Sequence, residues 1–289
     1  MSPLKVIILA IVQGLAELLP VSSSAHVVVA EKLLGLDPSS PPMTLLLVML
    51  HTGTMFAVIV YFWPQWRGSY FQSTAAFRSI AVLVIVATAC TAVIGEGIVM
   101  VIERTVFRGV PHAQIEDLFG HLEFIAPALA AAGVLIVIAG VFGNRHPTAA
   151  LTAANDLNAK RAGVIGTVQG LCLPFRGFSR SGATISVGML LGVAKSRAEA
   201  FSFALAVVLT PPVVAREALR LAHAARLQGT AGLASVGLMS VFGAVVAFFA
   251  GLLALRWLSR WLEGGRWYLF GIYCLAASAA VALLQRAGY

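Results

Sequence analysis

The sequence predicts an all-α integral membrane protein: six transmembrane helices plus two re-entrant helical hairpins, arranged as inverted-topology repeats. Three observations lead there. Hydrophobic residues make up 59% of the 289 and charged residues only 11%, against roughly 25% charged in soluble domains. Six apolar stretches are long enough to cross a bilayer, which takes about 20 residues. Finally, a polar phrase occurs twice where a membrane protein should be oily, its two Gln-Gly-Leu openings 156 residues apart (169 − 13).

The elements follow in order. Residues 3–12 are apolar but too few to cross, and they lead straight into Gln13 and Glu17 without a clear cleavage site, so no signal peptide is read. A second short stretch, 22–35, pairs with the first around the polar phrase. Spans follow at 43–63, 80–102 and 124–143. The short stretches 161–173 and 183–194 bracket the second phrase, and spans at 199–219, 233–256 and 267–285 complete the chain. Each short pair reads as a hairpin that dips in and returns to the same face. Backbone breaks at that depth are tolerated only when buried in protein or lining a wet cavity. Pro20, Pro174 and Gly177 are the expected breakers.

A hairpin contributes no net crossing and three spans contribute an odd number, so the second repeat lies upside down relative to the first. The chain is read as one membrane domain, with repeat 1 at about 1–145 and repeat 2 at about 155–289. A shift of 156 lays 43–63 on 199–219 and 80–102 on 236–258, whereas 124–143 would fall beyond the chain's end. Inverted repeats with broken helices put their site near the midplane, at the repeat interface.

The net charge of +8 would suit nucleic acid in a soluble protein. Here it fits loops facing anionic head groups, and no nucleic-acid partner is expected. A slight excess of Lys and Arg on the face opposite the termini leans towards termini outside the cytoplasm. Cys90, Cys172 and Cys274 lack metal-ligand spacing and read as ordinary buried thiols. Trp63, Trp66, Trp257, Trp261 and Trp267 fall at span ends, as an aromatic belt predicts. His112 and His121, in the 103–123 loop, make no convincing metal pattern. His51 opens the span 43–63 and is placed where it could reach the site, with a structural hydrogen bond as the favoured reading.

Charges and hydroxyls at membrane depth are a functional-site hypothesis by default. Arg180 stands between Ser179 and Ser181 at the start of a half-helix, whose N-terminus attracts anions. Its planar fork of donors matches phosphate. In the first phrase, Glu17 can hold a divalent cation or act as a base. Ser22, Ser23 and Ser24 exceed what one cap requires. His26, three residues beyond Ser23 on the same helical face, can serve as its base. Gln13, one turn before Glu17, either orients a phosphate oxygen or packs a helix.

These residues carry a resemblance. The chain is similar to the undecaprenyl-diphosphate phosphatases, also called bacitracin-resistance phosphatases. One family motif, Glu/Gln-x-x-x-Glu then Pro-Val-Ser-Ser-x-x-His, is met by Gln13, Glu17, Pro20, Val21, Ser22, Ser23 and His26. The other, Pro-Gly-x-Ser-Arg-Ser-x-x-Thr, is met by Gly177, Ser179, Arg180, Ser181 and Thr184. The resemblance implies hydrolysis of a polyprenyl diphosphate lipid to the monophosphate, which recycles the lipid carrier of cell-wall synthesis. It places the reaction in the bacterial inner membrane with the active site towards the periplasm. It implies Glu17 as the essential acid, Ser23 as nucleophile, His26 as acid/base and Arg180 as phosphate clamp. Gln13, Ser22, Ser24, Arg176, Ser179, Ser181 and Thr184 make up the expected phosphate-binding set. A divalent cation, Mg²⁺ or Ca²⁺, is implied with Glu17 as its ligand, and a homodimer is left open.

Two departures stand out. Gln13 occupies a place that is Glu in many members, which weakens the case for the cation. Arg176 stands where the motif has Pro, and it reads equally as a second phosphate contact or as a partner of lipid head groups. A transporter or flippase of a phosphorylated polyprenyl lipid is the alternative: it needs the anion site but no nucleophile.

Overall fold

The computed structural model describes residues 2–37, 40–105, 122–143, 157–228 and 233–287. Among them every regular element is helical. In chain order these are α1 (Pro3–Leu18), α2 (Ser23–Leu33), α3 (Pro41–Ser69), α4 (Thr74–Thr105), α5 (Leu122–Phe142), α6 (Ala159–Cys172), α7 (Arg180–Leu190), α8 (Lys195–Gln228), α9 (Leu233–Glu263) and α10 (Trp267–Arg286). The six expected spans correspond to α3, α4, α5, α8, α9 and α10, which are long and apolar enough to cross a membrane. His112, His121 and the expected boundary between repeats lie outside the described residues.

The four remaining helices are short for a crossing. α1 has 16 residues, which at 1.5 Å per residue is about 24 Å against a hydrocarbon core of roughly 30 Å. α2 and α7 have 11 each and α6 has 14. The two breaks arise differently. Pro20 disfavours helical angles at the residue before it, and Leu19 accordingly is extended (ψ 152°), ending α1. Leu173, before Pro174, keeps helical angles. α6 nonetheless ends at Cys172, and the turn that follows is made at Gly177 (φ 101°), also an expected breaker, where a Cβ would lie 2.5 Å from the Ile125 carbonyl oxygen. Only glycine suits that position.

Packing is reciprocal. α1 crosses α9 at Gly14, where a Cβ would lie 2.7 Å from the Ala247 carbonyl oxygen; α6 crosses α4 at Gly170, where it would lie 2.7 Å from that of Thr91. Small residues of this kind let membrane helices approach closely. One apolar cluster joins α1, α3 and α9 through Val6, Leu9, Leu46, Leu50 and Ala247. Its counterpart joins α6, α8 and α4 through Ala162, Ile165, Phe201, Leu205 and Ala87. A larger central cluster runs through α1, α3, α5, α7, α8, α9 and α10. α5 packs on α10, with Gly133 against Gly271.

Apolar side chains also face outward. Val93 and Ile85 on α4, and Leu238 and Leu253 on α9, are more than half exposed, which suits a lipid-facing surface. The tryptophans divide. Trp63 and Trp257 are exposed, but Trp66 and Trp267 are buried and do not belong to an interfacial belt. Trp66 donates to the Ala200 carbonyl on α8, and Trp267 donates to Ser186 on α7. A buried indole N–H needs an acceptor, and these two tie helices together.

Candidate functional site

The two polar phrases meet. The end of α1, the turn into α2 and the loop from α6 to α7 enclose a cavity of about 260 Å³. Its polar wall is Glu17, Ser22, Ser23, Ser24, His51, Arg176, Ser179, Arg180 and Ser181; its apolar wall is Ala16, Cys172, Leu173, Phe175 and Phe178. Each arm therefore turns at a helix start, and the N-termini of α2 and α7 both open on the same space. Free N–H groups and the positive dipole ends favour an anion there.

Glu17 is the hub. Its Oε1 accepts from Arg180 Nη2 at 3.1 Å, an ion pair across 163 residues of sequence. Its Oε2 accepts from Ser23 Oγ at 2.6 Å and from Gln13 Nε2 at 3.2 Å, with His51 Nε2 3.7 Å away. The short Ser23 bond is charge-assisted. The Glu17 and Arg180 side chains are 16% and 21% exposed, so their attraction acts with little screening by bulk water. Ser23 is the hydroxyl held on a carboxylate, the arrangement that activates a weak nucleophile.

The other hydroxyls fix the arms to each other. Ser24 accepts from the Gly177 amide at 3.3 Å and pairs with Ser22 at 3.2 Å. Ser181 donates to the Leu19 carbonyl at 3.4 Å. Ser179 caps α7 by accepting from the Gly182 amide at 3.2 Å. Ser22 starts α2 at φ 68°, a left-handed conformation that a residue with a Cβ rarely adopts, and its hydroxyl makes no cap.

Of the expected site residues, Glu17, Ser22, Ser23, Ser24, Arg176, Ser179, Arg180 and Ser181 line the cavity. Three others stand behind it. Gln13 is buried and reaches the centre only through Glu17. Thr184 is buried, donating to the Arg180 carbonyl at 2.8 Å and paired with Ser202 at 2.6 Å. His26 lies off the wall, with Nδ1 on the Ser22 carbonyl at 2.8 Å and Nε2 on the Tyr273 hydroxyl at 2.7 Å.

His51 is the residue that sequence reasoning ranked too low. It makes the expected structural bond, Nδ1 to the Leu47 carbonyl at 2.8 Å, yet it also lines the cavity beside Glu17. The available signal was a histidine within an apolar helix, about 15 Å in from Pro41 at 1.5 Å per residue.

Among the described residues no group of three or more His, Cys, Asp or Glu side chains is placed to hold a metal. Glu17 is the cavity's one described carboxylate, and both its oxygens are engaged by donors. This donor set does not fit a divalent cation held by the protein alone.

Comparison with known proteins agrees with the motifs. Residues 6–280 match the family model described as bacitracin resistance protein BacA. The chain is 55% identical to undecaprenyl-diphosphatase 2 of Acinetobacter baylyi over 287 residues, covering 98% of each chain. It is 32% identical to the undecaprenyl-diphosphatase of Desulfosudis oleivorans, covering 95% of each. It is 33% identical to that of Gluconacetobacter diazotrophicus, covering 96% of this chain and 95% of the relative.

Proposed function

The chain belongs to the bacitracin resistance protein BacA family, and from its site we propose how it acts: as a membrane phosphatase that hydrolyses undecaprenyl diphosphate to undecaprenyl phosphate and inorganic phosphate. One observation carries the mechanism: Ser23 and Arg180 meet on opposite oxygens of the same carboxylate. The cavity's composition suits the substrate class, with donors for a diphosphate on one wall and apolar side chains beside the first isoprene units on the other.

The diphosphate enters between the two helix N-termini, and Arg180 extends its fork to the terminal phosphate. Ser23 Oγ attacks the terminal phosphorus while its proton passes to Glu17. The bond from that phosphorus to the bridging oxygen breaks, and undecaprenyl phosphate leaves. Water then attacks the phosphoserine, the bond from phosphorus to Ser23 Oγ breaks, Glu17 returns its proton to Ser23, and inorganic phosphate departs carrying the hydrogens of the water. Arg180 and the amides at the starts of α2 and α7 stabilise charge on the equatorial oxygens. His26 secures the Ser22 turn through its Nδ1; the acid–base role implied by resemblance requires its Nε2 to leave Tyr273. A carrier would need no serine held on a carboxylate, so hydrolysis is favoured over the flippase alternative.

The same reading covers topology. Two re-entrant hairpins, inverted with respect to each other, account for the short helix pairs and for the matching packing of α1 on α9 and α6 on α4. In the bacterial inner membrane the cavity opens to the periplasm. A divalent cation is proposed to arrive with the diphosphate rather than to reside in the protein.

Purified protein in detergent should release phosphate from a polyprenyl diphosphate, and Glu17→Ala or Arg180→Ala should abolish release. Activity surviving both changes would refute the site. Calorimetric titration of substrate-free protein with Mg²⁺ should give no binding heat; saturable micromolar binding would overturn the cation proposal.

A further inference from the structure

Two histidines flank the first arm and are held alike. His26 and His51 each set Nδ1 2.8 Å from the carbonyl oxygen four residues earlier in the chain, those of Ser22 and Leu47. A carbonyl only accepts, so in both rings Nδ1 carries the hydrogen and Nε2 faces outward. The difference is what Nε2 meets. In His26 it is bonded to Tyr273, on which the ring also stacks. In His51 it lies 3.7 Å from Glu17 Oε2, the oxygen that also takes the Ser23 hydroxyl.

We propose that His51 is a further positioning residue of this centre: from α3 it holds the Glu17 carboxylate in register with Ser23. The inference rests on the hydrolytic reading above. At 3.7 Å the contact is electrostatic rather than a direct hydrogen bond, and it holds the carboxylate with the ring protonated, Nε2 then carrying a hydrogen as well as Nδ1. It acts on a carboxylate whose other oxygen is drawn the opposite way by Arg180, so Glu17 is held from two sides.

The register is built into the packing. Gly14, three residues before Glu17, presses on Ala247 and Ala250 of α9. Gly53, two residues after His51, presses on Ala244 of the same helix, again against backbone. Neither glycine leaves room for a Cβ. α9 is thus a common ruler for the heights of Glu17 and His51, two residues with no sequence relation to each other.

The test measures phosphate release from a polyprenyl diphosphate by the full chain in detergent. It compares wild type, His51→Ala, His51→Phe, His51→Gln and Arg180→Ala, with a melting temperature for each. His51→Ala and His51→Phe should lower kcat by about tenfold or more, as small displacements of a reacting group do. KM should stay within about twofold. His51→Gln should recover most of kcat, because its amide reaches the same oxygen. Wild-type kcat in His51→Ala, a change confined to KM, or a His51→Gln no better than His51→Phe overturns the proposal. Should His51→Ala lower the melting temperature, the Gln and Phe variants decide. Release surviving in Arg180→Ala would instead sink the hydrolytic site itself.

Discussion

The two arms share a Gln-Gly-Leu phrase and a broken helix, yet they use matching positions for different work. Gln13 donates to Glu17 and supports the reacting centre. Gln169 donates to Thr91 on α4 and clamps one helix to another, its Oε1 buried without a partner among the described residues. Four residues after each glutamine stand Glu17 and Leu173: a carboxylate in one arm, an apolar wall in the other. At the helix starts, the first arm presents Ser23 to that carboxylate, while the second uses Ser179 as a cap and Ser181 on Leu19, and its charged contributions to the cavity are Arg176 and Arg180. Shared packing brings the arms face to face, and departures from likeness supply the chemistry.

The hardest blow to that comparison would come through the glycines, where the arms should behave alike. Gly14→Ala would put a Cβ 2.6 Å from that of Ala250, and Gly170→Ala one 2.7 Å from the Thr91 carbonyl oxygen. Backbone cannot retreat as a flexible side chain would, so each change should cost about 1–3 kcal/mol of stability. Thermal unfolding in detergent checks it. If one variant melts like wild type and the other does not, the arms are not equivalent in packing.

The glutamines should separate the arms. Gln13→Leu removes a donor from Glu17 and should lower kcat by roughly tenfold with little change in melting temperature. Gln169→Leu loses one hydrogen bond but also an unpartnered buried oxygen. The two offset to within about 1 kcal/mol, and kcat should hold. Equal kcat losses at both positions would break the asymmetry.

Much of this was legible in the sequence, for physical reasons that also mark where legibility ends. Spans are written in local hydropathy, so all six were found. Glu17, the serines and Arg180 stood out because charge in hydrocarbon demands an explanation. That Glu17 and Arg180 share one cavity followed from two phrases bracketed by helices too short to cross. His51 was different: its place depends on how α3 and α1 each seat against α9, which no local pattern encodes. Trp66 and Trp267 were misjudged likewise, since a tryptophan at a span end reads as interfacial until a partner helix covers it. Pro174 and Gly177 were both expected breakers, and they divide the work in a way the sequence does not reveal: α6 ends at Cys172, just before Leu173 and Pro174, and the left-handed turn falls at Gly177.

The subtlest contrast lies in the two N-caps. Ser179 sits at φ −63° with its hydroxyl on the Gly182 amide, whereas Ser22 sits at φ 68° with no cap bond. Ser179→Ala should therefore cost about 1 kcal/mol, the usual value of a lost cap. Ser22→Gly should have the opposite sign. A left-handed non-glycine residue stores about 1–3 kcal/mol, and release of that strain outweighs the roughly 0.5–1 kcal/mol by which glycine's chain freedom disfavours folding. The variant should melt slightly higher and turn over more slowly, because the strained turn aims Ser23 at Glu17. A Ser22→Gly protein that gains stability at undiminished kcat would leave the strain without a catalytic purpose. One that loses stability would mean the φ at Ser22 is paid for by contacts of its own side chain, Ser24 foremost.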